Sequence, residues 1–427
     1  MRRNPAAQEN DMKKRKKKKV LIIVLAVVLS ILVLAGAYVL FILPVTYKLN
    51  KSWIKQNPDY NVYVTEKGGY TSLVKKDANG NVLDSEFKII GFTDVHLDAK
   101  QEKGDITFEY IVRNIVNEKP DLVIFVGDNI TAGFNRARLK QLAKTLEELG
   151  VYWDFVLGNH EGDNIWSVTR EKMVKLFAKY PHCLMDETVK KTASGETVWG
   201  NGNHVINLLD SQGNIVRSLY FLDGGADMSE EDMAKYDSEF TDKGHNDYDY
   251  IKDTQITWYK ETVAAIDALN GSPVKSTVFC HIPLPEYKLA YDKLTGETEP
   301  TQNVPTYDLP DADGDYMIAG QRRETICFSG HNSGFFDAML QAGSTDLFVC
   351  GHDHINDFIL QYKGITLAYN EPSGYSSYNL VSKKLADYLL QGFSRYTVST
   401  DGSIYMEQAH NAFMYPDEQE AIKDLYR

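Results

Sequence analysis

Five short apolar runs in this chain each stop at a polar tip, and the tips carry residues that bind metals or move protons. Phe87–Phe92 runs into Thr93-Asp94-Val95-His96, and Leu122–Val126 into Gly127-Asp128-Asn129. Phe155-Val156-Leu157 ends at Gly158-Asn159-His160-Glu161, and Thr277–Cys280 at His281-Ile282-Pro283. Leu347–Cys350 ends at Gly351-His352-Asp353-His354. Short runs rich in β-branched and aromatic residues, bounded by glycine and polar groups, predict buried strands. Helical spacing follows the first two, in Phe108, Ile111, Val112 and Ile115, and in Leu139, Leu142, Ala143, Leu146 and Leu149 before Gly150. Strand, polar tip and helix in repetition predict βαβ units and an α/β layered fold. The C-terminal strand ends of such a sheet lie side by side and form its ligand crevice. Residues from Asp94 to His354 can therefore converge.

Asp94, His96, Asp128, Asn159, His281, His352 and His354 mix carboxylate, amide and imidazole donors. That set suits Zn, Mn, Fe or Co, not Ca or Mg alone. Seven donors with one carboxylate shared are enough for two metals. Such a pair can clamp the attacking and leaving oxygens of an in-line displacement and acidify a water. Each residue alone has a plainer reading, such as a turn or helix-capping aspartate or a hydrogen-bonded core histidine. Their recurrence after five separate apolar runs selects the joint reading. His182, His204, His245 and His410 lie off the tips and read as surface or loop histidines. His331, near a helix start, is a candidate to line the pocket. Asp353, between two ligands, is expected to orient backbone or a second-layer proton and not to bind metal.

Charge divides the chain. Residues 1–19 hold nine Lys/Arg against Glu9 and Asp11, a net of +7; the whole chain carries −13, so residues 20–427 carry −20. So acidic a body argues against a nucleic-acid backbone as main partner. Val20 to Leu43 is an apolar run of 24 residues, long enough as a helix to cross a bilayer. The preceding basic block places the N-terminus in the cytoplasm and the remainder outside. Ala35-Gly36-Ala37 offers a signal-peptide cut site as the competing reading. The apolar run continues past it, which favours an uncleaved anchor. Four cysteines without C-x-x-C spacing indicate neither a zinc ribbon nor a disulfide scaffold.

The expected organisation is a basic cytoplasmic segment (1–19), a transmembrane anchor (20–43), a stalk and first hairpin around Asn79-Gly80 (44–84), the α/β domain (85–410) and a C-terminal tail (411–427). Residues 286–323, rich in Pro, Gly, Thr and Asp, read as a long loop covering the substrate. Ile365–Tyr369 and Tyr396–Gln408, the latter split at Asp401-Gly402, read as closing strands.

In their order, Asp94-Val95-His96, Gly127-Asp128, Gly158-Asn159-His160-Glu161, His281 and Gly351-His352-Asp353-His354 resemble the calcineurin-like metallophosphoesterase superfamily. The match spans roughly residues 85–375. Asp247–Ile251 with Gln255 and Trp258, His281–Tyr287, Asn332–Phe336 and His354–Phe358 look like its Dcr2 / purple-acid-phosphatase-29-like branch. The resemblance implies a four-layer α/β/β/α sandwich, here preceded by a single N-terminal transmembrane helix. It implies one metal on Asp94, His96, Asp128 and His354. A second would sit on Asp128, Asn159, His281 and His352, with Asp128 bridging. His160 would be the general acid or transition-state stabiliser at the phosphate, and Glu161 the partner orienting it. Purple acid phosphatases proper carry a tyrosine ligand where this chain has Thr131, and they lack a histidine at the place of His96. The expected metals are therefore Mn, Zn or Fe, without an iron–tyrosinate site.

The expectation is a membrane-anchored, extracytoplasmic hydrolase of phosphate mono- or diesters, acting by attack of a metal-bound hydroxide. Its substrates would be small or lipid-like esters. The alternatives are a nuclease or cyclic-nucleotide phosphodiesterase, and a non-catalytic cell-surface binding protein.

Overall fold

The computed structural model describes all residues except 1–4, 39–60, 98–100, 132–135, 164–166, 237–246, 302, 308–309 and 427. The chain divides into two units, Met1–Lys48 and Leu49–Arg427. In the first, helix α1 (Pro5–Ala37) contains Met12–Ala37, a stretch long and apolar enough to cross a membrane. By length and composition, a span and a signal sequence pass this test equally. The last residues of the apolar run, 39–43, lie outside the described residues.

The second unit is built on two sheets. Its strands are β1 (Val62–Lys67), β2 (Tyr70–Lys75), β3 (Phe87–Phe92), β4 (Leu122–Val126), β5 (Trp153–Val156), β6 (His204–Leu209) and β7 (Ile215–Phe221). They continue as β8 (Lys275–Phe279), β9 (Tyr316–Ala319), β10 (Thr345–Cys350), β11 (Ile359–Tyr362), β12 (Ile365–Tyr369), β13 (Gly392–Val398) and β14 (Ile404–His410). One sheet has the order β14-β13-β3-β4-β5, the other β1-β2-β6-β7-β8-β10-β12-β11-β9. β3, β4 and β5 are parallel, joined through α2 (Gln101–Glu118) and α3 (Arg136–Leu149). β7, β8, β10 and β12 are parallel in the larger sheet.

Alternation along the strands sorts the layers. Ile89, Ile124, Val126 and Val156 of the smaller sheet meet Leu219, Phe279, Leu347 and Val349 of the larger in one buried cluster. Residues one step out of phase, Val278, Cys280, Phe348 and Cys350, face the opposite way. They pack under α6 (Asp253–Asn270), α7 (Glu286–Thr295) and α8 (Phe335–Ala342), after α4 (Arg170–Phe177) and α5 (Glu230–Tyr236) in chain order. The outer side of the smaller sheet takes α2 and α3, whose predicted apolar stripes are buried. The result is the four-layer α/β/β/α sandwich, with period 2 in the strands and 3.6 in the helices deciding which side chains meet.

Residues 286–323 are not one long loop. Tyr287, Ala290 and Tyr291 form a helical stripe on α7, which is closed by Gly296 in the left-handed conformation. β9 then pairs antiparallel with β11. Between them Asp311, Asp313 and Asp315 surround the Lys293 ammonium at 2.9, 2.8 and 2.7 Å. Those acids, which made the segment look like a solvated cover, are spent on holding it to α7. The first hairpin turns at Gly68-Gly69, upstream of the Asn79-Gly80 turn, and β2 pairs with β6. Residues 62–75 of the expected stalk are thus part of the larger sheet, while 44–60 lie outside the described residues. The tail forms α9 (Asn411–Met414) and α10 (Pro416–Lys423), which dock on α2. Tyr110 and Arg113 both reach Glu418, and Asn114 donates to Asn411. All four cysteines are free thiols.

Candidate metal centre

Both sheets end at one place. Asp94 and His96 follow β3, Asp128 follows β4, and Asn159 and His160 follow β5. His281 follows β8, and His352 and His354 follow β10. The donors thus come from two sheets, three strands of the smaller and two of the larger. Asp94 (φ 50°), His96 (φ 44°), Asp128 (φ 50°) and His352 (φ 79°) are four of the seven described non-glycine residues with positive φ. Such conformations cost roughly 1–3 kcal/mol each and persist where the surroundings over-determine them.

The side chains meet in two overlapping groups. Asp94, His96, Asp128 and His354 form one; Asp128, His281 and His352 form the other. His354 Nε2 lies 3.3 Å from Asp94 Oδ1, and His96 Nε2 lies 3.1 Å from His354 Nε2 and 3.7 Å from Asp128 Oδ2. His281 Nε2 lies 3.3 Å from the same Asp128 oxygen and 3.9 Å from Asp94 Oδ1. Two glycines permit the approach. A Cβ on Gly127 would enter the His281 ring, and one on Gly351 would strike Thr93 Oγ1 and Asp94.

Asp94 Oδ1, Asp128 Oδ2, Asn159 Oδ1, His281 Nε2 and His352 Nε2 are all buried, and none makes a hydrogen bond. Buried polar atoms are nearly always satisfied. Four of these exceptions, on Asp94, Asp128, His281 and His352, belong to the two groups above, which is what a cage for cations leaves on the protein side. The protonation states agree. Burial opposes ionisation of Asp94, yet the neighbouring His354 imidazole, 3.3 Å away, and the charge of His281 hold its pKa at about 2. Asp128 is likewise held low, burial again being outweighed by His281. Burial, and then the charge of His354 on His96 and of His281 on His352, push both of those imidazoles down to about 3. Ionised carboxylates beside neutral imidazoles are metal-binding forms. His281 differs: burial lowers it, but Asp128 prevails and raises it to about 10.

An outer layer aims the ligands. His281 Nδ1 faces Val126 O at 2.8 Å, which turns Nε2 inward. Ser377 Oγ contacts His354 Nδ1, and the Tyr378 ring stacks on His354 at 4.5 Å. Thr93 Oγ1 and the His352 N–H both donate to Asp94 Oδ2, each at 3.0 Å. Tyr248 stands edge-on to His352 at 4.4 Å.

Asp353 accepts from Tyr369, Asn356 and the Cys327 amide, which shapes its loop. Glu161 was expected to orient His160. Instead its carboxylate accepts the amide N–H groups of Asp128, Asn129 and Gly158, and so ties the ends of β4 and β5 together. The carboxylate that touches the His160 ring is Asp163. His331 lines a crevice with Tyr250, Ile282, Pro283 and Ser329 beside His281, and it stacks on Tyr236 at 3.6 Å. His204 is no loop histidine; it is buried and paired with Asp154 at 2.7 Å. His245 lies outside the described residues. Ser377 and Tyr378 carried no local signal, and Tyr248 stood only within the Asp247–Ile251 motif, with no role at the site. Asp163 had one, its place three residues after His160.

The sequence profile of the calcineurin-like phosphoesterases matches residues 87–356, more than half of the chain. The chain belongs to the calcineurin-like phosphoesterase family. With that family it is a metal-dependent phosphoester hydrolase, of the branch that holds Dcr2 and the purple-acid-phosphatase-29-like proteins. "Probable inactive purple acid phosphatase 14" of Arabidopsis thaliana is 29% identical over 70% of this chain and 73% of that protein. "Probable inactive purple acid phosphatase 29" of the same plant is 28% identical over 69% and 74%. "Phosphatase DCR2" of Saccharomyces cerevisiae is 27% identical over 65% of this chain and 46% of that protein. As a calcineurin-like phosphoesterase the chain places its candidate metal-binding groups at the strand ends of a two-sheet sandwich.

Proposed function

We propose that this chain is a membrane-anchored, outward-facing hydrolase of small or lipid-like phosphate esters that works with two metal ions. The observation that carries the reading is the convergence of buried, unsatisfied donors of Asp94, Asp128, His281 and His352 in two groups that share Asp128. Asp94, His96, Asp128 and His354 would hold one ion. Asp128, Asn159, His281 and His352 would hold the other, with Asp128 shared. Mn, Zn or Fe suits this mixture of carboxylate, amide and imidazole. When bound, such ions supply the positive charge that acidifies water and neutralises phosphoryl oxygens.

The chain's own residues do the rest. Glu161 holds the β4 and β5 ends in register, so Asp128 and Asn159 keep their separation. His160, with Nε2 4.0 Å from Asp128 Oδ2 at the edge of the cage, would give a proton to the leaving oxygen. The basic residues before the apolar run that starts at Val20 support an N-terminus inside and a catalytic unit outside. The net of −20 beyond residue 19 disfavours polyanionic substrates, and with them the nuclease alternative.

Two plant relatives are named as inactive, which favours a non-catalytic reading for them. Against it here stands a complete donor set. The test is metal analysis with a panel of esters. The Mn-supplied full chain should hydrolyse an aryl phosphate mono- or diester and lose most activity in Asp128→Asn and in His281→Ala. Full activity in both variants would end the two-metal reading.

A further inference from the structure

His160 stands at the edge of the cage with a choice of which ring nitrogen to present. Its backbone N–H donates to Asp128 Oδ1 at 2.9 Å, which pins the residue but leaves the ring free to turn. Nε2 faces the cage, 4.0 Å from Asp128 Oδ2, and the ring lies edge-on to His96 at 5.5 Å. Nδ1, on the outer side, contacts the Asp163 carboxylate. The same short turn brings the Asp163 N–H to His160 O at 3.5 Å.

Burial cannot choose between the two ring orientations, because the side chains of His160 and Asp163 are 42% and 45% exposed. Glu161, the other carboxylate in this run, is buried and committed to three backbone amides. Asp163 is then the group that decides. A carboxylate on Nδ1 fixes that nitrogen as the outward N–H and leaves Nε2 to face inward.

We propose that Asp163 is a positioning residue that holds His160 with Nδ1–H outward, so that Nε2 meets the leaving oxygen of the ester. This rests on the phosphoester-hydrolase reading of the cage. In the step concerned, the oxygen of the attacking water bonds to phosphorus and its proton passes to solvent. The bond from phosphorus to the leaving oxygen breaks, and the electron pair stays on that oxygen. The proton on His160 Nε2 moves to it. The neutral ring keeps its Nδ1–H on Asp163.

The role has a signature that a structural role lacks. An alkoxide leaving group needs the proton; a stabilised phenolate hardly does. The full chain supplied with Mn is assayed as wild type, Asp163→Ala, Asp163→Asn and Asp163→Glu on an alkyl and a p-nitrophenyl phosphate ester, each as monoester and as diester, and compared on the kind that wild type hydrolyses, with metal content measured for each. Asp163→Ala should lower kcat about 30-fold on the alkyl ester and less than about threefold on the aryl ester, within what a positioned acid contributes. KM and metal content should hold, and Asp163→Glu should recover part of the loss. Equal losses on both esters, or none on either, with wild type active, would overturn the part given to Asp163 alone. A wild-type chain that hydrolyses neither ester would overturn the phosphoesterase reading and this inference with it.

Discussion

Glu161 illustrates how much one carboxylate can organise. It is 1% exposed, and it satisfies three amide donors at the ends of two strands that each deliver a ligand. Behind it Arg170 bonds to Gly158 O and to Asp223, so the β5 loop is held from both sides. Glu161→Gln keeps the shape but turns amide hydrogens toward at least one backbone N–H. Metal affinity should fall about 10- to 100-fold, the usual cost of losing a group that supports metal ligands. A calorimetric metal titration reads this directly; an unchanged affinity would mean that the three amides do not need the charge. Four cage residues with positive φ make the same point, since their conformations depend on such supports.

At the scale of elements, the two short C-terminal helices act as a clasp. α9 and α10 cover Tyr110 and Tyr375, and Arg113 makes a forked pair with Glu418 at 2.7 and 2.9 Å. The exposed pair itself contributes little. The larger share comes from Ile422, Tyr415 and Tyr426 packed against the aromatic cluster. Ending the chain at residue 410 should therefore lower Tm by several degrees and raise amide exchange in α2, measured by thermal melts and hydrogen exchange. Glu418→Ala should move Tm far less. A truncated chain that melts with the full one would show the clasp to be dispensable.

The whole molecule depends on two sheets meeting at one end. Besides the cage, His410 at the end of β14 and Glu371, two residues beyond β12, join them there, with His410 Nδ1 3.2 Å from Glu371 Oε1. Glu371 is the main cause that raises the His410 pKa to about 9, with burial opposing. The unfolded value is near 6.5. A histidine raised in this way contributes its full stabilisation below about pH 6.5 and loses it as pH climbs through about 9. Burial raises the Glu371 carboxyl in turn, which offsets part of what the pair contributes. Wild type should therefore lose Tm between those pH values more steeply than His410→Gln. Parallel slopes for the two proteins would count against the pair.

Strand positions, helix stripes and the kinds of residue at the cage were legible in the sequence because they obey local rules. A strand of period 2 stops at its polar tip, and the tip is where a ligand can stand. That made Asp94, His96, Asp128, Asn159, His281, His352 and His354 readable as candidate donors before any contact was known. Which sheet each strand joins was not readable, since periodicity reports that a face is covered and not by what. The structure divided the donors between two sheets, put a helix and a strand into 286–323 through the hold of Lys293 on three aspartates, and set Ser377 and Tyr378 behind His354. It also exchanged Glu161 for Asp163 beside His160. Neighbouring side chains in a turn point in different directions, and only the folded backbone decides which carboxylate reaches the ring.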